Sequence, residues 1–263
     1  MGVEPGRAFR DGGATQDVDA HGYAAARPDH ADAAAPGRPA DVDPGLGLVA
    51  FLHWRVDSDD LRPRLPDGLE LDTFDGSAWV GLVPFRILMR AGPIALPGAR
   101  FPETNVRSYV TGPDGKRGLW FLSLDVARAA VAAAARFSVF LPYRWSSMAI
   151  ERRRRDVEYS AVRRVPRGAR SRVVVRPRRR LSPAEVGERA DFLTARFCVY
   201  SSTPIGLVRV DVEHPPWDLH AGSPVEVDDG LVAAAGPDVV GDPIVHTSPG
   251  ARVRVGLPAP VRS

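Results

Sequence analysis

Apolar residues in this chain fall into short runs, many alternating with polar ones, and Gly, Pro, Asn or Asp punctuates most of the gaps. Period-two spacing with frequent turn signals predicts strands rather than long helices. The first strand is predicted over Gly47–Val56, around LVAFLHWRV. Ser58 is placed to cap a short helix through Asp59, Asp60 and Leu61, bounded by Pro63 and Pro66. Leu69–Phe74 and Ala78–Phe85 flank Asp75-Gly76, a dipeptide that accepts the positive φ of a tight hairpin. The second arm, AWVGLVPF, is almost continuously apolar and is predicted to be buried on both faces. Arg90 to Phe101 carries repeated Pro and Gly and reads as a loop.

Thr104–Thr111 and Gly118–Leu124 flank a second turn, Pro113-Asp114-Gly115-Lys116. Asp125 stands where an N-cap would open an alanine-rich helix over 126–138, which Pro142 ends. Residues 145–176 read as two further hairpins, broken near Arg154 to Asp156 and at Pro166-Arg167-Gly168. Ser182-Pro183-Ala184-Glu185 is a capping box with Pro at the first helical position, leading into DFLTARF. A strand over Leu207–Glu213 ends at His214-Pro215-Pro216-Trp217, and two more follow, the last near Ala251–Leu257. The fold predicted is mainly β: an antiparallel β-barrel with short peripheral helices.

Composition divides the chain. Residues 1–44 hold eleven alanines and no Leu, Ile or Trp, with eight acidic and four basic residues. Such a segment buries too little apolar surface to offset the entropy of ordering it, so a disordered tail is expected there. It lacks the basic start and apolar run of a secretory signal. Residues 45–263 then form one domain. No apolar run reaches the roughly 18 residues of a membrane span, and a cytoplasmic protein is the expectation. A single cysteine, Cys198, rules out an intramolecular disulfide and any multi-cysteine metal site. No spaced His pair accompanies it, so no metal is expected. No Gly-rich phosphate loop or nucleophile elbow occurs.

Residues 144–180 contain fourteen Arg against three acidic residues. Arg outnumbers Lys 34 to 1 in the whole chain, however, and a solvated strand face is the plainer reading of the run. Nucleic-acid binding is therefore not expected.

Glu103, Asn105 and Arg107 alternate along one strand and so share a face. If that face looks into the barrel, it forms a polar wall on which charges must pair, Glu103 with Arg107 or with Arg55. Arginine offers a bidentate fork for a carboxylate, and glutamate a general base. A structural ion-pair network would use the same residues. His53 shares its strand face with Arg55 and is a further contact candidate.

Several blocks together resemble a YqjF-like family of unknown function. They are FLHWRV at 51–56, LPDGLELDTFDGSAWVGLVPFR at 65–86, FPETNVRSYV at 101–110, GLWFLSLD at 118–125, LPY at 141–143, DFLTARFCVY at 191–200 and HPPWDL at 214–219. That family is similar, more distantly, to acetoacetate decarboxylase, which implies the same barrel with an interior small-molecule pocket. The decarboxylases form a Schiff base on the first lysine of a Phe/Tyr-Pro-Lys-Lys run, the second lysine depressing its pKa. Here the matching run is Leu141-Pro142-Tyr143-Arg144. Tyr143 stands in the nucleophile's place and Arg144 in that of the second lysine. The one lysine, Lys116, lies in a predicted exposed turn, so Schiff-base chemistry is not expected. Arg55 and Glu103 match an arginine and an acidic residue of the decarboxylases. On this resemblance Glu103 and Tyr143 are catalytic candidates, Tyr143 as a donor to a developing oxyanion. Arg55, Asn105, Arg107, Arg144 and His53 are substrate-binding candidates, with no cofactor and no metal. Two functions stay open. One is an enzyme, of lyase or hydrolase type, acting on a small organic acid or carbonyl compound. The other is a non-catalytic small-molecule binder or sensor.

Overall fold

The computed structural model describes residues 39–41, 48–91, 94–138 and 140–261. Pro36–Ser263 is one compact unit; a second, Met1–Ala35, lies outside the described residues.

Among the described residues, fourteen strands dominate. They are β1 (Pro39–Asp41), β2 (Val49–Val56), β3 (Glu70–Leu71), β4 (Ala78–Ala91), β5 (Ile94–Thr111), β6 (Arg117–Val126), β7 (Tyr143–Arg153), β8 (Asp156–Val165), β9 (Arg170–Arg180), β10 (Cys198–Thr203), β11 (Gly206–Glu213), β12 (His220–Asp229), β13 (Ile244–Ser248) and β14 (Arg252–Pro260). The helices are short: α1 (Ser58–Leu61), α2 (Ala129–Ser138), α3 (Pro183–Thr194) and α4 (Leu231–Ala235).

Nine strands close a barrel in the order β5, β6, β7, β8, β9, β12, β13, β2, β4 and back to β5. All neighbours in this ring are antiparallel except β6 and β7. From β6 the sheet also branches through β10, β11, β14 and β1 and returns to β4. Strands β4, β5 and β6 are thus shared by two circuits, and each face of β5 looks into a different one.

The nine-stranded interior is apolar apart from a buried ion pair toward one end. Leu52 and Trp54 from β2, Val80 and Leu82 from β4, Val106 from β5, Tyr159 from β8 and Val175 from β9 meet there, with Leu231 and Val232 of α4 at one end. Each such side chain contributes about 1.5–3 kcal/mol by leaving water. The opposite face of β2, β4 and β5 is covered by α3: Ala190 packs with Phe51 and Val83, and Phe192 and Leu193 with Tyr109 and Trp79. The predicted capping signal starts this helix, since the Ser182 amide and hydroxyl both donate to Glu185 Oε2, at 2.9 and 2.8 Å.

Several local expectations are corrected. The N-cap of α1 is Asp57, whose side chain accepts from the Asp59 amide. Asp125 does not cap α2, which begins at Ala129. It is the penultimate residue of β6 and is claimed by Arg163 of β8, which closes on both carboxylate oxygens at 2.9 and 2.7 Å. The stretch from Arg90 to Phe101 is not a loop. β4 and β5 run through it as one long hairpin, its arms pairing at Ala91 and Ile94. Past the His214 turn there are three strands, not two. Pro39–Asp41, within the segment expected to be unstructured, pairs with β14 and β4.

Candidate functional site

The alternation along β5 holds: Glu103, Asn105 and Arg107 share a face, and all are buried, at 4, 5 and 7% exposure. The face is the one turned away from the nine-stranded interior, where Val106 points. Tyr109 extends the same row and is fully buried. A chain of cross-strand partners defines the site. His53 of β2 lies opposite Gly81 of β4, and Gly81 lies opposite Arg107. On the far side of β2, Ile244 pairs with His53 and His246 with Phe51.

Gly81 is required by this packing. A Cβ there would lie 2.9 Å from His53 Cδ2, 3.1 Å from His53 Nε2 and 3.3 Å from Tyr109 Oη. The glycine leaves its share of the face to the imidazole, with Arg107 on the next strand.

Arg107 Nη2 donates to the Leu193 carbonyl at 3.1 Å, and Tyr109 Oη to the same oxygen at 2.8 Å. Leu193 is in the last turn of α3, where carbonyls have no intrahelical partner and carry the negative end of the helix dipole. Trp217 Nε1 serves the next one, Thr194, at 3.2 Å. The guanidinium also lies over the rings of Phe51 and Tyr109, at 5.6 and 5.9 Å. Among the described residues, no carboxylate forms an ion pair with Arg107. The nearby acid Asp72 is taken by Arg196 and Arg117, at 2.9 and 2.7 Å. Arg196 is itself buried and stacks 5.2 Å from the Tyr109 ring, so the region is strongly cationic.

Unsatisfied polar atoms concentrate here. His53 Nδ1 and Nε2, Asn105 Oδ1, Arg107 Nε and His246 Nδ1 are buried without a hydrogen-bond partner. Burial, with Arg107 and His246 nearby, holds the His53 pKa well below the usual imidazole value, so the ring is neutral.

Glu103 stands two residues further along the same face. Burial pushes its pKa up to about 8, against a lowering contribution from the Tyr143 hydroxyl, and Asp125 adds to the rise. Tyr143 Oη donates to Glu103 Oε2 at 3.5 Å, the outer limit of a hydrogen bond. Burial and the Glu103 carboxyl hold the Tyr143 phenol well above its ordinary pKa. Tyr143 arrives through the parallel pairing of β7 with β6, opposite Leu124, and packs with Phe101, Val126 and Ala132.

Two expected members are elsewhere. Arg55 does not meet Glu103 or Arg107. It is exposed at the end of β2, where it pairs with Asp75 at 3.2 Å, donates to Ser77 and stacks on Trp79. It shares the His53 face but lies beyond the cover of α3, so water solvates it. Arg144 is half-buried and in register with Asp125. Burial, then Arg136 and Arg163, lower its pKa. The expected interior wall of paired charges is replaced by two arrangements: a buried Asp125–Arg163 pair on the barrel side, and unpaired polar groups on the side facing α3. The residues missed were Tyr109, Gly81 and His246. Tyr109 continues the period of two, and a glycine within an apolar strand signals close approach. His246 had no local signal.

Two surface depressions lie elsewhere. One, of about 410 Å³, is lined by Arg163, Arg167, Arg170, Asp228 and Asp229; the other, of about 730 Å³, by Trp145, Ser146, Met148 and Arg164. Among the described residues, no group of three or more His, Cys, Asp or Glu is placed to hold a metal ion. None of their helices is long and apolar enough to cross a membrane.

The sequence over residues 46–252 matches the model of DUF2071, described as an uncharacterized conserved protein. The chain belongs to the DUF2071 family. The chain is similar to the uncharacterized protein YqjF of Bacillus subtilis, 37% identical over 174 residues that cover 65% of this chain and 72% of YqjF. This DUF2071 chain also has the acetoacetate decarboxylase fold. Acetoacetate decarboxylase from Legionella pneumophila superposes with a TM-score of 0.55 at 14% identity, over 88% of this chain and 92% of its own. An acetoacetate decarboxylase-like enzyme from Sphingomonas wittichii gives 0.57 at 17%, over 82% and 91%. The enduracididine biosynthesis enzyme MppR, in complex with pyruvate, gives 0.55 at 17%, over 88% and 92%. At these identities the likeness is one of fold.

Proposed function

We propose that this DUF2071 protein binds a small carboxylate on the α3-facing side of β5 and acts on it as an enzyme by proton transfer, without a Schiff base. The observation that carries the reading is the buried guanidinium of Arg107, which has no ion-pair partner among the described residues. A buried cation without a counter-charge is costly, and an anionic ligand removes that cost. Arg107 anchors the carboxylate, Asn105 contacts the body of the ligand, and Glu103 exchanges a proton with it. Glu103 and Arg107 are four residues apart, roughly 13 Å along the strand, so a ligand that meets both spans the Asn105 position between them. A carboxylic acid with a pKa of about 8 is largely protonated at neutral pH and is suited to acid–base work there. Tyr143 holds its proton and keeps Glu103 oriented. Arg55 and Arg144 stand outside this arrangement and are not assigned to it. The fold neighbours add support, since one of them holds pyruvate.

Calorimetric titration with a panel of small carboxylates tests the assignment. Arg107→Ala loses binding by at least about tenfold, whereas Glu103→Gln retains binding and loses turnover. Turnover that survives Glu103→Gln contradicts the proton-transfer role. Binding unchanged in Arg107→Ala removes the anchor. The sensor reading keeps the same site and predicts binding with no turnover in the wild type.

A further inference from the structure

We propose that the depression where β7 and β8 meet the β8–β9 turn binds a small anion with an aromatic or other apolar body, such as an aryl carboxylate. This surface is independent of the face of β5 beneath α3.

The proposal starts from apolar side chains left in water. Trp145 of β7 and Val165 of β8 lie opposite each other and are 42 and 58% exposed. Val162, opposite Ser147, is exposed as well. A bulge creates the arrangement. Trp145 pairs with Val165 and Ser146 with Arg163, so Arg164 is an extra residue between the two pairs. Ser146 and Arg163 turn inward to Asp125. A bulge re-aims the side chains of its strand, and here Arg164 and Val165, adjacent in sequence, both reach the exposed surface. The resulting depression, of about 730 Å³, is lined by Trp145, Met148 and Val165 on the apolar side and by Arg164 and Arg167 on the charged side. Its volume is that of a small-molecule site, for which roughly 300–1,000 Å³ is usual.

Charge decides the class of ligand. Further along β8 and β9 the arginines are neutralised: Arg172 pairs with Glu158 and Glu226, and Arg176 with Asp156. Arg164 and Arg167 form no ion pair among the described residues, and no acidic residue lines this depression. A carboxylate meets the two guanidinium groups, while an apolar body covers the Trp145 ring and Val165. A bare inorganic anion would satisfy the charge and leave the apolar wall in water. A second copy of the chain fits less well. Pairing this surface with itself would bring arginines together with no acid in the depression to meet them.

The test is calorimetric titration of the full chain at pH 7 with three probes: 2-naphthoate, the neutral 2-naphthalenemethanol, and acetate. The expected result is naphthoate binding at least about tenfold tighter than either of the others, weakening with added salt. Trp145→Ala, and Arg164→Ala combined with Arg167→Ala, each lower the naphthoate affinity several-fold. All three positions are exposed, and the circular dichroism spectrum checks that the fold is kept. Naphthalenemethanol or acetate binding as tightly as naphthoate overturns the proposal, as does no binding of naphthoate at all. Naphthoate binding that survives Trp145→Ala but is lost in Arg107→Ala also overturns it, and leaves the site beneath α3 standing. A wild-type chain that sediments as a dimer and becomes monomeric on Trp145→Ala overturns it in favour of self-association. The wild-type comparison of the three probes decides the matter even if a variant fails to fold.

Discussion

A carboxylic acid that ionises near pH 8 must leave a trace in stability. Glu103 has an ordinary glutamate pKa in the unfolded chain and about 8 in the folded one. Below about pH 4.5 both states hold the proton, and its burial adds no pH dependence there. Between there and about pH 8 the unfolded chain releases a proton that the folded chain keeps, so stability falls as pH rises, and it levels off above. Each tenfold difference in proton affinity between the two states is worth about 1.4 kcal/mol. Glu103→Gln removes the titration. Its melting temperature is expected to rise relative to wild type from pH 5 to pH 9, by several degrees at the upper end. A difference independent of pH would mean that Glu103 is not held protonated. His53 titrates the other way and leaves no such signature at alkaline pH, because its pKa is lowered.

Among the elements, the Asp125–Arg163 pair fastens β6 to β8 across the barrel end. Ser146 Oγ donates to Asp125 at 2.6 Å as well, and both charged side chains are almost fully buried. Removing one member leaves the other charge uncompensated, so Arg163→Met is expected to cost about 3–5 kcal/mol in urea unfolding. Asp125→Leu added to it is expected to recover much of that loss. Equal losses in the single and double variants would show that the pair acts as packing alone. The β5–β6 turn carries a second expectation. Lys116 is exposed there, its amide donating to Asp114 at 3.3 Å. A nucleophilic lysine needs burial or a neighbouring cation to shed its proton. Borohydride reduction in the presence of acetoacetate is therefore expected to leave no mass adduct on the chain. An adduct at Lys116 would restore Schiff-base chemistry.

Across the molecule as a whole, the sharing of β4, β5 and β6 by two circuits explains what the sequence could and could not reveal. Period-two alternation put Glu103, Asn105 and Arg107 together, because it is a property of one strand. It could not say which face looks into the nine-stranded barrel, because that depends on partners far along the chain. The apolar run AWVGLVPF did carry the information, since a strand buried on both faces must lie between two packed layers. The 90–101 stretch misled for a related reason. Its Pro and Gly residues are those of a loop, yet pairing between two long arms overrides local propensity. Asp125 looked like a helix cap because its partner Arg163 lies on another strand, 38 residues away.

Everything proposed for the site depends on the buried guanidinium of Arg107 receiving a carboxylate beneath α3. A crystal structure of the chain saturated with lactate shows directly whether it does. A carboxylate is expected within hydrogen-bonding distance of Arg107. Lactate found only on exposed arginines such as Arg164 or Arg167, with nothing beneath α3, would refute the assignment.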